Sequence, residues 1–371
     1  MRIGKQLFTL VTVIQSMIFL AHFFVYETWV YSPEGATTSD RVAVGLALGV
    51  LSVTFVLSSF LAFRYTNWLV RGLYKVSAVW MGLLSFLLFA AAGAWVVFGA
   101  LRLAGVDLSF HGTVETLFAV AVALGALGLL NASWTRITRV TIRSANLPDA
   151  WRGRRAALVS DIHLGHVRNG GFLRRIVASI LKEKPDTVFI VGDLFDGTAI
   201  DALRATEPLK QLTAPQGVYF VAGNHELFRN DGGFLAAVAA SGVRVLNDEK
   251  IEADGLQIVG VSYRNAVQRD RFGAVLRKIG IDQDRANVLL THAPDHPEVA
   301  EAAGVSLQVS GHTHLGQFVP WSWLARRVYG QFVYGLSRIG KMLVFTSSGA
   351  GTWGPPLRLG SNPEIVMLEF Q

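Results

Sequence analysis

Two hydrophobic patterns divide the chain. Toward the N-terminus, residues 6–26, 42–63, 76–101 and 116–135 are free of charged side chains, and each run is long enough to cross a hydrocarbon core that requires about 20 apolar residues. Four membrane-spanning helices are the simplest reading, the alternative being that one or two of the runs are buried or re-entrant. Run four is the weakest, since it is rich in small residues and only just reaches spanning length. No small-x-small site follows the first run before Glu27, so it does not read as a cleaved signal. From about Ala156 the pattern changes to short β-rich runs: 156–160, 187–191, 218–222, 256–261, 288–291, 307–309, 342–345 and 365–370. Amphipathic segments such as Phe172 to Lys184 and Phe234 to Ala240 lie between them. Such alternation predicts an α/β domain with strands at its centre.

Composition agrees with the apolar half, because a mean hydropathy of +0.39 with 51% hydrophobic and 16% charged residues is too apolar for an ordinary soluble enzyme. The flanking charges orient the spans. Arg2, Lys5, Arg64, Arg71, Lys75, Arg136, Arg139 and Arg143 fall on one side of a four-span arrangement, and only Arg41 and Arg102 on the other, beside Glu27, Glu34, Asp40, Asp107 and Glu115. That asymmetry predicts both ends in the cytoplasm, a multi-pass protein of the inner (plasma) membrane and a catalytic domain on the cytoplasmic side. The net charge of +7 is largely topological: residues 1–150 hold 10 Lys/Arg against 6 Asp/Glu, and the remainder 24 against 21. No nucleic-acid partner is expected. Residues 136–155, with Arg136, Arg139, Arg143, Arg152, Arg154 and Arg155, read as a basic juxtamembrane linker, either solvated or in contact with anionic headgroups. The expected organisation is a four-span region over 1–135, this linker, and a catalytic domain over 156–371. The absence of cysteine removes disulfides, thiolate ligands and cysteine nucleophiles.

An ordered series of metal-ligand residue types runs through the second half: Asp161-x-His163, Gly192-Asp193, Gly223-Asn224-His225-Glu226, His292 and Gly311-His312-Thr313-His314. Carboxylates, an amide oxygen and imidazoles are what a pair of hydrolytic metal ions needs. Each group follows a β-rich run, which places it at the carboxyl end of a strand, where α/β proteins build their sites. One such group alone would be weak evidence, since a single histidine after a strand is more often structural; five in order converge on one site.

With these residues in view, the chain resembles the calcineurin-like metallophosphoesterases, whose pattern D-x-H, G-D-x-x-D, G-N-H-E, H and G-H-x-H is complete between about residues 150 and 371. The continuation Gly311 to Gln317, the loop Ser348-Gly349-Ala350-Gly351 and the tail Pro355 to Glu364 are similar to the bacterial membrane-associated phosphodiesterase branch. The resemblance implies a central β-sandwich flanked by helices and two divalent ions, with manganese, iron and zinc all suited to the ligands. By it, Asp161, His163 and His314 would hold the first ion, Asn224, His292 and His312 the second, and Asp193 would bridge them. Two ions about 3.5 to 4 Å apart bring a shared water toward a neutral pKa and hold the phosphoryl oxygens for in-line attack by hydroxide. His225, beside Asn224, is then free to reach the leaving or a phosphoryl oxygen, with Asp196 to orient and charge it; a surface carboxylate in a turn is the plainer role for Asp196.

One departure matters: where the family's phosphoprotein phosphatases carry an arginine that clamps a phosphate dianion, this chain has Gly197. The expectation tilts toward phosphodiesters or pyrophosphates, with Arg168, Arg264 and Arg338 as other possible cations. His166 reads as a loop residue near the pocket and His296 as a surface helix start. The segments 335–341 and 349–354 mimic phosphate-binding and dinucleotide-binding loops, but Met342 and Pro355-Pro356 break the respective patterns, and both read as turn-rich loops. Gly45 and Gly49 are a candidate helix-packing pair. The aromatic and basic stretch 318–327 has the composition of a membrane interface, with buried core as the alternative. The expected protein is a membrane-bound two-metal hydrolase acting by metal-activated hydroxide on a phosphodiester or pyrophosphate, its partners being the bilayer and a substrate that is membrane-associated and possibly lipid-linked. A UDP-diacylglucosamine-type pyrophosphatase of lipid A synthesis and a broad nucleotide phosphodiesterase are alternatives; so is a catalytically silent receptor or scaffold, against which the complete ligand series speaks.

Overall fold

A computed structural model describes the backbone of residues 2–31, 37–144, 146–228 and 232–371, and the side chains of these from Phe8 onward. Glu34 and the side chains of Arg2 and Lys5, used above for orientation, lie outside the described residues. The chain divides into two compact units, Met1–Leu130 with Gly354–Leu357, and Asn131–Trp353 with Arg358–Gln371.

The first unit holds α1 (Arg2–Val30), α2 (Thr38–Ala62), α3 (Trp68–Leu103) and α4 (Phe110–Asn131). All four are long and apolar enough to cross a membrane. The helices extend beyond the charge-free runs because polar residues cap them. Thr37 and Asp40 form a reciprocal capping box at α2, and the Asn67 side chain accepts from Val70 N–H at 3.0 Å to start α3. Helix α4 ends at Asn131 rather than at the predicted residue 135. Two polar pairs link α1 to α3 inside the unit: Trp80 Nε1 donates to His22 Nε2 at 2.8 Å and Trp95 Nε1 to Thr28 Oγ1 at 3.0 Å. Gly45 makes a close approach to Tyr26, whereas Gly49 faces open space.

The second unit contains twelve strands among its described residues: β1 (Arg136–Ile142), β2 (Arg155–Val159), β3 (Thr187–Val191), β4 (Val218–Val221), β5 (Arg244–Val245), β6 (Glu249–Ala253), β7 (Leu256–Gly260), β8 (Asn287–Leu290), β9 (Leu307–Ser310), β10 (Gly335–Ile339), β11 (Met342–Thr346) and β12 (Glu364–Phe370). Its α-helices are α5 (Gly170–Glu183), α6 (Ala202–Thr206), α7 (Gly233–Ala240), α8 (Tyr263–Ala266), α9 (Arg269–Ile279), α10 (Pro297–Ala302) and α11 (Trp321–Tyr329). The strands form two six-stranded sheets, in the orders β1-β12-β2-β3-β4-β5 and β10-β11-β9-β8-β7-β6.

Alternation along the strands builds the layers. In β2, Ala156 and Leu158 face the core between the sheets, together with Phe189, Val191, Val288, Leu290, Val309 and Phe345. Ala157 and Val159 face the opposite way, into a second core with Phe172, Ile176 and Ile180 of α5 and Val238 of α7. A third core lies outside the other sheet, where Phe272 and Leu276 of α9 pack on Val259, Leu289 and Val344. The result is the expected sandwich flanked by helices, with strands buried on both faces and therefore rich in continuous apolar sequence.

Two expectations are corrected. Residues 136–155 are not merely a linker: β1 pairs in parallel with β12 over seven residues, from Arg136↔Glu364 to Ile142↔Phe370. The segment Arg-Ile-Thr-Arg-Val-Thr-Ile has strand periodicity with β-branched residues, but its arginines resemble a solvated flank. Likewise 335–341 is not a loop, since 335–339 form β10, antiparallel to β11. Strands β2, β3 and β4 are mutually parallel, as are β7, β8, β9 and β11, so within each sheet the loops after these strands gather at one edge.

Candidate metal centre

The turns leaving these strand ends are strained. Asp161, His163, Asp193, His312 and His314 all have φ between 49 and 69°, a region that costs non-glycine residues energy and that persists only where surrounding contacts fix it. Those contacts are present. Asp161 N–H donates to Gly192 O at 3.2 Å, His163 N–H to Asp193 O at 3.0 Å and Gly311 N–H to His292 O at 2.8 Å, so each strand-end turn is bonded to its neighbour. Gly311 can only be glycine here, because a Cβ would run into the Ser160 hydroxyl and the Asp161 carboxylate.

The predicted ligands converge. His163 Nε2 is 3.0 Å from His314 Nε2, and His314 Nε2 is 3.4 Å from Asp161 Oδ1. On the other side, Asp193 Oδ2 is 3.1 Å from His292 Nε2, which is 3.1 Å from His312 Nδ1. Asp193 is shared: the same oxygen is 3.9 Å from His163 Nε2 and 3.8 Å from His225 Nε2. Three overlapping groups of candidate metal-ligand atoms result, Asp161/His163/His314, His163/Asp193/His225 and Asp193/His292/His312. Asp161 Oδ1 and Asn224 Oδ1 are buried without a hydrogen-bond partner. Buried acceptors are rarely left so, and hard oxygens beside imidazoles suit divalent cations.

Electrostatics follow from burial. Asp193 loses solvation, which disfavours its charge, yet His292, His225 and His163 together hold it well below the ordinary carboxylate range. For His292 burial works against the cation, but Asp193 prevails and raises it to about 10. Burial lowers His312 to about 4 and holds His163 and His314 well below 6.5. The centre is therefore an Asp193–His292 ion pair beside His163, His312 and His314, which burial holds toward their neutral forms.

Partners of the far ring nitrogens fix the tautomers. A carbonyl only accepts, so His292 Nδ1–H donates to Val191 O at 2.8 Å and His225 Nδ1–H to Asp196 O at 2.9 Å, turning each Nε2 toward Asp193. Asp196 thus orients His225 through its main chain. Its carboxylate instead accepts from Thr198 N–H at 2.8 Å and Thr198 Oγ1 at 2.6 Å, and burial raises it to about 6. Arg358 Nη2 lies 3.0 Å from His314 Nδ1, beside the bond from its Nη1 to His314 O at 2.8 Å.

Two important residues escaped the sequence reading. Glu226 closes the Gly223-Asn224-His225-Glu226 motif, and the residue type alone implies no role for it. Its buried carboxylate accepts from Asp193 N–H at 3.0 Å, Phe195 N–H at 3.2 Å and Gly223 N–H at 2.7 Å, joining the loops after β3 and β4. Burial, then the Asp193 charge, raises it to about 7. Arg358 is fully buried and donates to the carbonyls of His314, Ser348 and Gly351 at 2.7 to 2.8 Å. The only hint was an ionisable residue inside a motif or between two leucines.

The remaining candidates separate. His166 is buried with Nδ1 3.0 Å from Thr198 Oγ1, and His296 caps α10. Arg168 donates to Ala132 O at 2.6 Å and stacks over Phe172. Arg338 lines a polar cavity of about 590 Å³ with Arg143, Glu301 and Lys341, toward the other end of β11. Arg264 is exposed and follows Tyr263, whose ring centroid lies 5.7 Å from that of His312. At Gly197, with φ of 85°, a Cβ would strike the Phe228 ring. Exposed Phe228 and Trp353 lie 4.5 and 5.7 Å from the His225 ring, centroid to centroid.

Residues 154–316 match the family model described as calcineurin-like phosphoesterase. A Danio rerio transmembrane protein with metallophosphoesterase domain is 30% identical, over 95% of this chain and 87% of its own. A Campylobacter jejuni metallophosphoesterase is 28% identical over 84% and 85% respectively. A solved dimetal phosphatase from Danio rerio aligns at 13% identity with a TM-score of 0.34, covering 59% of this chain and all of that one. The chain belongs to the calcineurin-like metallophosphoesterases, as a membrane protein with a metal-dependent phosphoester hydrolase domain.

Proposed function

We propose that the protein hydrolyses a phosphodiester or pyrophosphate bond of a membrane-associated substrate, using two divalent cations on the cytoplasmic side of an inner membrane. Asp161, His163 and His314 would hold one cation, Asn224, His292 and His312 the other, and Asp193 would bridge them. The buried, unpartnered oxygens of Asp161 and Asn224 support that assignment. Bound there, the cations supply charge neutralisation for phosphoryl oxygens and a water of near-neutral pKa. The chain's own residues do the rest. With Nδ1–H held by Asp196 O, His225 keeps Nε2 as the end that takes up or delivers a proton at the substrate. Glu226 fixes the main chain that carries Asp193 and Asn224, and burial excludes bulk water. The eight-to-two Lys/Arg asymmetry supports the cytoplasmic side.

The observation that carries the substrate reading is the surroundings of His225. Gly197 has no room for a dianion-clamping arginine because Phe228 occupies that space, and exposed Phe228 and Trp353 offer apolar contact on the approach. A substrate with one fewer negative charge and an apolar group fits this better than a phosphoprotein. The test is the full-length protein in detergent with manganese, given a bis-aryl phosphate, the matching aryl monophosphate, and a long-chain and a short-chain diester. The expected order of kcat/KM is diester above monoester and long chain above short; preference for the monoester would overturn the reading.

A further inference from the structure

Helix α11 is amphipathic the wrong way round for a soluble enzyme. Its one buried residue is the small, polar Ser322, 5% exposed, while Trp323, Leu324 and Val328 are 68, 57 and 66% exposed and Trp321 is exposed as well. At 100° per residue, Trp321, Leu324 and Val328 share one face, which is offset from Ser322 and Tyr329. Large apolar side chains gathered on an outward helix face mark an interaction surface. Arg326 and Arg327 are exposed on the same helix and have no ion-pair partner among the described residues.

The helix is fixed to the metal-ligand loop. Gly316, two residues after His314, has φ of 69° and lets the Ser322 backbone approach where a Cβ would collide. The Tyr329 ring centroid lies 6.2 Å from that of His312, and Thr313 Oγ1 donates to Val333 O at 2.7 Å just beyond the helix.

We propose that α11 is a membrane-docking helix: Trp321, Leu324 and Val328 enter the headgroup–acyl boundary of an anionic bilayer, and Arg327, on the flank of that face, engages its phosphates. The occupant is chosen by chemistry. Tryptophan beside arginine is the pairing that settles at a lipid interface, and the flanking Arg327, without an ion-pair partner among the described residues, complements anionic headgroups. A lipid surface is also within reach of any chain with membrane-crossing helices. Since the loop carrying His312 and His314 is braced against this helix, docking would present the metal cluster to headgroup phosphates. It goes beyond the hydrolase reading and needs no turnover to be tested.

The cysteine-free sequence permits single nitroxide labels on the full-length protein in nanodiscs containing anionic phospholipid. Leu324→Cys and Val328→Cys would carry the label, with Lys278→Cys on α9 as the aqueous reference and Phe60→Cys on α2 as the lipid reference. The expected result is that labels at 324 and 328 relax several-fold more with oxygen than with a water-soluble nickel chelate, as at 60. That preference should shrink at least two-fold in purely zwitterionic lipid or with Arg327→Glu. Nickel accessibility equal to that at 278 would overturn the proposal. So would shielding from both reagents with dipolar broadening, which would assign the face to a second copy of the chain.

Discussion

Replacing Glu226 by Gln tests whether a residue outside the ligand set governs the metal centre. The substitution keeps the size and removes the charge. In the native chain three buried N–H groups converge on two carboxylate oxygens, those of Asp193, Phe195 and Gly223. An amide offers one oxygen, so even the best rotamer, which keeps the pair from Asp193 and Gly223, turns its NH₂ against Phe195 N–H. One buried donor left unpaired costs about 1–3 kcal/mol. If that cost falls entirely on the metal-bound loop conformation, metal affinity drops by about 5- to 150-fold, at roughly 1.4 kcal/mol per factor of ten. The assay is manganese titration of the purified variant beside turnover of a bis-aryl phosphate, with far-UV circular dichroism to confirm the fold. Weaker metal binding with native secondary structure is expected, and activity should be regained at high manganese. Native affinity in the Gln variant would refute the reasoning.

Further outcomes follow from burial. Asp196 and Glu226 have folded pKa values raised to about 6 and 7, and His292 to about 10. Groups raised on folding stabilise the fold fully only below their unfolded pKa and lose that contribution as pH climbs through the folded value. His163, His312 and His314, held below their ordinary values, act in the opposite direction up to about 6.5, so the chelated protein should lose Tm only above that range, from about pH 7 to pH 9. The Tm gained on adding manganese should grow over the same window, since fewer protons compete for the ligands; a gain that does not vary with pH would contradict this. Arg358→Met removes a buried cation and strands the carbonyls of His314, Ser348 and Gly351. Destabilisation of about 3 kcal/mol or more is expected in thermal melts, without rescue by Arg358→Lys, whose single ammonium cannot reach the same acceptors.

Much of this was legible in the sequence because the relevant signals are local. The spans announce themselves as charge-free runs, and strands buried on both faces as short apolar runs. The ligand series is readable because β2, β3, β4, β8 and β9 each deliver their residues at a carboxyl end. What escaped depends on long-range partners. β1 is recognisable only beside β12, which lies more than two hundred residues away, and its arginines conceal its period. Arg358 reads as a surface cation until its carbonyl cage is assembled from three loops. For Asp196 the sequence leaves two roles open, a partner of His225 or a carboxylate in a turn; the turn at Thr198 takes the carboxylate, while the carbonyl accepts from His225, and main-chain roles leave no mark on side-chain identity.

The central claim is a two-cation hydrolytic centre bridged by Asp193. Its most direct test is divalent metal content per chain, measured on the purified full-length protein together with turnover of a bis-aryl phosphate, for the native chain and for Asp193→Ala. Two cations per chain with turnover are predicted for the native protein, and at most one, without turnover, for the variant. A fully active native chain holding a single cation, or hydrolysis that survives Asp193→Ala, would contradict the account.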